Sequence, residues 1–315
     1  MLPRSGFAPV APRHRRPTIV VMTDALADIF DRQGGVAATS QILGHLSRRA
    51  MEAAMGRGAL TRLWQGTYCQ GEPDDALRLR ALDFACGTTV PVCMNTAAAA
   101  YGFDTEEPAD LHVLQPEGSR LRSTEGLVVH RRDGAPMVDV AGRPATAPAW
   151  TAVEVARSLR RGRALATLDA ALRSGRCDSS ALWEAAAAQA GRRGIVAVRE
   201  LIPLADPRAE SPMESEARLV MLDGGLPTPE LQYRIIDGNG QVRRLDFAWP
   251  DAGVAAEYEG VDWHSGAEEM RRDRRKLAAV QDAGWVSVPI LFEDVRYRPA
   301  VLVARLERHL VRAAA

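Results

Sequence analysis

Apolar positions recur along this chain at two spacings, and the order in which those spacings alternate lays out its organisation. In "MTDALADIFDRQ", residues 22–33, Leu26, Ile29 and Phe30 share one helical face, and Gly34-Gly35 stops the helix. "TSQILGHL" opens on Thr39 or Ser40 as N-cap and presents Ile42, Leu43 and Leu46. "SRRAMEAAMGRG" follows, capped by Ser47 and stopped by Gly56 and Gly58. "ALTRLWQGTYC" reads as a two-stranded ribbon, with Leu60, Leu63 and Trp64 before a turn at Gly66 and Tyr68 after it. Three short helices and a hairpin are the plan of a winged helix, here over 21–75, whose third helix carries Arg48, Arg49 and Arg57. Those arginines are either a solvated helix face or a docking face for nucleic acid or protein, and the ordered series leaves the two readings level.

Residues 76–205 mix both periods. "VPVCMNTAAAAYGF" is an apolar helix capped by Asn95 or Thr96, while "LHVLQP" and "LVVHRR" read as strands. "TAPAWTAVEVARSL", "ALATLDAALRSG" and "SALWEAAAAQAGRRGI" read as helices, the second ending at Gly175. His112 and His130 lie on the strand-like runs and read as hydrogen-bonded structural histidines. This stretch shows no nucleophile–base arrangement, phosphate loop or dinucleotide fingerprint.

"LADPRAESP", residues 204–212, is a Pro-punctuated boundary. Beyond it, "MESEARLVMLDG" is a helix, "ELQYRII" and "QVRRLDFAW" are strands joined by a "DGNG" turn, and "PDAG" turns into the strand "VAAEYEG". Residues 268–283 form a charged amphipathic helix with Met270, Leu277 and Val280 inward. The strand "WVSVPI" and a helix over 299–312 complete the order α-β-β-β-α-β-α.

Composition adds bounds. At 315 residues and 46% hydrophobic, the chain has enough apolar surface for two or more domains. Its formal net charge is zero, so no global basic field announces a nucleic-acid partner. Lys276 is the only lysine, and the other basic side chains of this class are arginines. No apolar run reaches the length of a membrane span, and residues 1–20 read as a disordered basic arm and not a secretory signal. Cys69, Cys86, Cys93 and Cys177 lack metal-site spacing and read as reduced, mostly buried thiols in a cytoplasmic protein.

The stretch "DFAWPDAGVAAEYEGVDWH", residues 246–264, changes the picture, because it puts Asp246, Glu257, Glu259 and Asp262 in an otherwise apolar hairpin. A two-residue loop at Asp251-Ala252 sets Pro250 opposite Gly253 and Asp246 opposite Glu257, with their Cβ atoms about 5 Å apart. Glu259 then shares the face of Glu257, and Leu245, Phe247 and Trp249 share the other. Opposed acids destabilise a sheet by up to about 1 kcal/mol. A solvated polar face tolerates that, and a divalent cation turns the repulsion into coordination. Mg²⁺ and Mn²⁺ prefer such carboxylate oxygens.

The series "ESEARLV", "GLPTPELQY", "LDFAWP", "AAEYEG" and "RRDRRKLAAVQDAGWVSV" spans nearly all of 213–295. In order and spacing it resembles the PD-(D/E)XK nuclease superfamily, in its branch related to very-short-patch repair endonucleases. The stretch "GGVAATSQILGHLSRRAMEAAMGRGALTRLWQGTYCQG" with "NTAAAAYGF" resembles, over about 30–150, the antitoxin of abortive-infection type IV toxin–antitoxin systems. Together the resemblances imply an α+β or α/β multidomain chain. It would comprise a winged helix over 21–75, an antitoxin-like mixed middle region over 76–205 and a restriction-endonuclease-like αβββαβ core over 211–315.

Carried over by position, the nuclease resemblance implies Asp246 and Glu257 as ligands of Mg²⁺ or Mn²⁺, and Glu216 as an auxiliary acid holding a metal-bound water. Glu259 stands where many superfamily members have lysine, and Lys276, Arg275 or His264 are the cations that would replace it. Arg275 and Lys276 join Arg48, Arg49 and Arg57 as nucleic-acid contacts, and Tyr258 and Trp263 are either core or contacts to bases and sugars. The implied function is metal-dependent endonucleolytic hydrolysis of phosphodiesters, DNA foremost, targeted by the winged helix. The alternative is a non-catalytic DNA-binding regulator or antitoxin, with a toxin protein as a further partner.

Overall fold

The computed structural model describes residues 24–103, 110–260 and 267–313. The expected arm over 1–20, and Asp262, Trp263 and His264, lie outside the described residues. The chain is mixed α/β, with thirteen α-helices among the described residues and several small sheets. It divides into two compact units, 1–89 and 90–315.

In the first unit the order is α1 (Asp24–Arg32), β1 (Ala37–Ala38), α2 (Thr39–Leu43), α3 (Arg48–Gly56), β2 (Leu60–Trp64), β3 (Thr67–Gln70) and α4 (Asp75–Cys86). The apolar faces read from the sequence meet: Leu26, Phe30, Ile42, Leu46, Met51, Ala54, Leu60 and Tyr68 form one core. Ser47 caps α3 by accepting from the Ala50 N–H at 3.2 Å. The N-cap of α2 is Ala38, not Thr39 or Ser40. Thr39 N–H donates instead to Gly66 O at 3.0 Å, which ties α2 to the hairpin turn. α4, which the periodicity did not single out, is tied to β2 where Trp64 Nε1 donates to Arg78 O at 2.8 Å.

The second unit begins with α5 (Met94–Tyr101), β4 (Leu111–Leu114), β5 (Leu127–His130), β6 (Met137–Val140) and β7 (Arg143–Thr146). β4 and β5 pair in parallel, and β6 and β7 form an antiparallel hairpin. Cys93 is the N-cap of α5; the expected cap Thr96 accepts from His112 N–H at 2.7 Å and so anchors β4. Then come α6 (Pro148–Ala156), α7 (Arg161–Arg173), α8 (Ser179–Ala188) and α9 (Ile195–Leu201). α6 and α7 are buried almost all round, including the charged Glu154 and Asp169.

The rest of the unit is α10 (Pro212–Asp223), β8 (Glu230–Ile236), β9 (Val242–Trp249), β10 (Val254–Tyr258), α11 (Ala267–Asp282), β11 (Val286–Ile290), α12 (Phe292–Arg296) and α13 (Pro299–Ala313). The strands form one sheet of order β11-β10-β9-β8, with β10 and β11 parallel and the other pairs antiparallel. One face packs Leu231, Phe247, Trp249, Val254, Ala256, Val288 and Ile290 against α10, α12 and α13. The other packs Ile235, Leu245, Ala248 and Ala255 against Val280 of α11. Leu277, expected inward, is 41% exposed, and Ala279 is buried in its stead. The side chain of Met270 lies outside the described residues.

α10 is locked to α7 by buried charges. Arg218 donates to both oxygens of Asp169, at 3.0 and 2.8 Å, and to Leu204 O at 2.6 Å. Burial pushes the Asp169 carboxyl above its usual range, and Arg218 opposes that shift. The segment expected as a boundary, 204–212, is pinned to the same pair, with Asp206 N–H donating to Asp169 Oδ1 at 2.8 Å. Removing one partner of such a pair leaves a buried charge without compensation. Arg218→Ala is therefore expected to cost about 3–5 kcal/mol, read as a lower urea midpoint with an unchanged slope. A loss within the error of a surface substitution would show that the pair does not lock the helices.

Candidate functional site

The site is built where the β8–β9–β10 ladder is interrupted. The β9–β10 pairs run Val254↔Trp249, Ala255↔Ala248 and Ala256↔Phe247, and one step further along that register Glu257 would face Asp246. That is the register read from the sequence, although the connection is a 3₁₀ turn over Pro250–Ala252 plus Gly253 at φ +58°, not a two-residue loop. On the other side, Leu231 pairs with Phe247 and Tyr233 with Leu245, while Gln232 between them takes a left-handed φ of +54°. The register is the same on both sides of Gln232, so the irregularity is one of backbone conformation and not of an inserted residue. Leu245 packs on the α11 face and Phe247 on the opposite one, so the expected single apolar face of Leu245, Phe247 and Trp249 is corrected.

Asp246 sits at this switch. Its Oδ2 accepts from the backbone N–H of Tyr258 at 3.0 Å, which ties the carboxylate to β10 beside Glu257. Gln232 Nε2 donates to Glu214 Oε2 at 3.0 Å, bringing the first-turn acid of α10 to the same place. Lys276, reaching in from α11, bonds Glu257 Oε2. Burial raises the carboxyl pKa of Asp246, Glu257 and Glu214. In Glu257 that push is opposed by Lys276 and reinforced by Asp246 and Glu259; in Glu214 it is reinforced by Asp246.

The other residues singled out in the sequence fall elsewhere. Glu216 is 3% exposed and points into a cage of arginines: Arg160 donates to its oxygens at 2.9 and 2.8 Å and Arg296 at 2.8 Å. Glu259 is exposed at the end of β10, its N–H donating to Ile290 O at 2.9 Å. Arg275 is exposed on α11. Arg48, Arg49 and Arg57 are all exposed at the two ends of α3, whose Met51 and Ala54 are buried. His112 and His130, each expected to be a hydrogen-bonded structural histidine, bond each other at 2.8 Å. Sequence reasoning passed over Glu214, although it lies two positions from Glu216 in the same motif; only the contact with Gln232, 18 residues away, selects between them.

Among the described residues, no group of three or more His, Cys, Asp or Glu side chains is gathered tightly enough to cage a metal ion. The donors that do converge are two half-buried carboxylates from adjacent strands with a third, buried acid nearby. That set fits Mg²⁺, which is commonly held by one or two carboxylates with water and substrate phosphates completing the shell. No helix among the described residues is long and apolar enough to cross a membrane.

Residues 90–204 match the family described as the AbiEi antitoxin C-terminal domain. Two Mycobacterium tuberculosis proteins are similar over nearly their whole length. They are "Uncharacterized protein Rv2248" of strain ATCC 25618 / H37Rv and "Uncharacterized protein MT2308" of strain CDC 1551 / Oshkosh. Each is 57% identical over 268 residues, covering 85% of this chain and 98% of the relative. The chain belongs to their family. The antitoxin-domain match supports the antitoxin part of the sequence resemblance, and it ends before α10, so the carboxylate sheet lies outside the matched residues.

The raised carboxyl pKa values give the site a signature. Between the ordinary carboxylate pKa, about 4, and the raised one, the folded protein holds more protons than the unfolded chain. Each such group therefore withdraws stability as pH rises through that window, and the loss levels off above it. Asp246→Asn keeps an acceptor for Tyr258 N–H and abolishes the titration. Its stability relative to wild type is expected to improve from pH 4 to pH 7 in urea titrations. A difference that does not change with pH would show that Asp246 is not desolvated.

Proposed function

We propose that the protein is a DNA-binding regulator of the antitoxin type, in which the first unit is a winged helix that engages DNA through α3. The match of 90–204 to an antitoxin domain carries this reading. It is supported by the helix–helix–helix–hairpin order of the first unit and by the exposed Arg48, Arg49 and Arg57 on and beside the third of those helices. Phosphate contacts by such arginines bring affinity without sequence information. A toxin protein is the cognate partner that the antitoxin match favours. Cys69, Cys86, Cys93 and Cys177 form no disulfide, which is consistent with the reduced thiols expected of them.

Mobility-shift titrations on DNA upstream of the protein's own reading frame test this. Arg48→Ala with Arg49→Ala is expected to weaken binding at least tenfold and to reduce the slope of log affinity against log salt by about 1 per lost phosphate contact. Binding and slope equal to wild type would overturn the α3 interface.

A second reading, metal-dependent phosphodiester hydrolysis at a PD-(D/E)XK-type centre, is favoured by the convergence of Asp246, Glu257 and Lys276 in a sheet of order β11-β10-β9-β8. Asp246 and Glu257 would hold Mg²⁺ or Mn²⁺, which supplies polarisation of the scissile phosphate and a lowered pKa for bound water. The chain's own contributions are distinct. Tyr258 N–H orients Asp246, and the Lys276 ammonium opposes the upward push that burial gives the Glu257 carboxyl. Lys276, beside Glu257, would be the cation available to the phosphate in place of the lysine absent at Glu259.

Plasmid incubated with Mg²⁺ or Mn²⁺ should be nicked by wild type and at least 100-fold more slowly by Asp246→Asn and by Lys276→Met. Intact plasmid with every divalent ion, from protein that still shifts DNA, would leave the regulator reading alone standing.

A further inference from the structure

The antitoxin-matched region holds a second site, chemically the opposite of the carboxylate one. Arg131 and Arg132 follow β5, Arg157 is the C-cap of α6, and Arg192 and Arg193 lie between α8 and α9. With Asp133 these five arginines line an open cleft of about 490 Å³. An adjoining hollow of about 330 Å³ shares Arg131, Arg132 and Asp133 and adds Gln115, Ser119 and His130.

Four of the five guanidinium groups are fixed from beneath. Glu154, 1% exposed, bonds Arg132 and lies 3.7 Å from Arg157 and 3.6 Å from Arg192. Arg157 also donates to Gln189 Oε1 at 3.0 Å and to Arg193 O at 2.8 Å. Arg192 stacks 4.8 Å over the Trp150 ring, and Arg131 donates to Gln115 Oε1 at 2.8 Å. Gly194, at φ +84°, lets the Arg192–Arg193 turn close on Arg157, because a Cβ there would lie 2.5 Å from Arg157 O. Arg132 donates to His130 Nδ1, which places that ring's proton on Nε2, toward His112 Nδ1. Burial, with Arg132 adding to it, holds His130 down to about 4, so the pair is neutral at pH 7. The cleft with its anchor then carries five positive charges against two negative, a surplus of three.

We propose that this cleft binds the oligophosphate group of a small anionic ligand, of the pyrophosphate or nucleoside-triphosphate class. Planar guanidinium forks held in place match phosphate oxygens two at a time. The arginines come from three separate segments and converge on one concavity, whereas a duplex presents its phosphates along a line. The volume falls within the range of small-ligand pockets, about 300–1,000 Å³. A surplus of three charges exceeds what a single phosphate neutralises and suits two or three linked ones.

Calorimetry and melting temperature with pyrophosphate, tripolyphosphate and ATP, at constant ionic strength, test the site in the full chain. The expected result is saturable one-to-one binding with a raised melting temperature. Arg157→Gln with Arg192→Gln should weaken it at least tenfold. Arg131→Gln with Arg193→Gln, which leaves every Glu154 contact in place, should weaken it several-fold while the fold stays intact by circular dichroism. Tighter binding of ATP than of tripolyphosphate assigns a nucleotide and equal binding a free oligophosphate; both support the site. Binding reproduced by sulfate, binding unchanged in both variants, or no binding overturns the proposal. So does duplex DNA that needs these arginines and is not displaced by pyrophosphate.

Discussion

The buried charge seam between α7 and α10 is the constraint on which the second unit depends. Asp169 and Arg218 face each other almost without solvent, and two residues before Arg218, Glu216 draws in Arg160 and Arg296. Gly162 lets the start of α7 come this close, since a Cβ there would stand 3.0 Å from Glu216 Cγ. Isolated ions would not survive such burial, so each fixes the other's position. α10 then has one rotational setting. Its apolar side, Ala217 and Met221, covers the sheet, and Glu214 in its first turn is delivered to Gln232 and the neighbourhood of Asp246. The antitoxin-matched helices and the carboxylate sheet are thus one mechanical body, joined by charge as well as by apolar contact.

That coupling explains what was legible in the sequence and what was not. Local signals carried well: Ser47 as a cap, Gly66 in the turn, the αβββαβ order, and the strand register that opposes Asp246 to Glu257 all follow from periods and turn residues a few positions apart. Glu216 shows the limit. Its position on α10 is the one the family resemblance selects, yet its partners Arg160 and Arg296 lie 56 and 80 residues away, and they turn it into an anchor of the seam. The same holds for the left-handed residue at Gln232 of β8, an irregularity that no hydrophobic pattern announces and that lies beside the point where the faces of β9 switch. Arg132, Arg157 and Arg192 read as scattered surface charges until a single buried glutamate gathers them.

The two charged centres of this unit also differ in how their electrostatics are left. Around Glu154 three arginines share one carboxylate, and burial with Arg192 and Arg132 lowers the Arg157 pKa while Glu154 opposes the shift. Around Asp246 the acids outnumber Lys276, and burial pushes all three carboxyls toward protonation. Each centre is therefore short of counter-charge of the opposite sign. A structural ion-pair network relaxes toward neutrality because nothing rewards an excess; an excess held by packing is the ordinary mark of a site that waits for a charged partner. A regulator that only docked DNA through α3 would have no use for either excess. Both centres lie in the second unit on either side of the α7–α10 seam, the arginine cleft within the antitoxin-matched residues and the carboxylates beyond them.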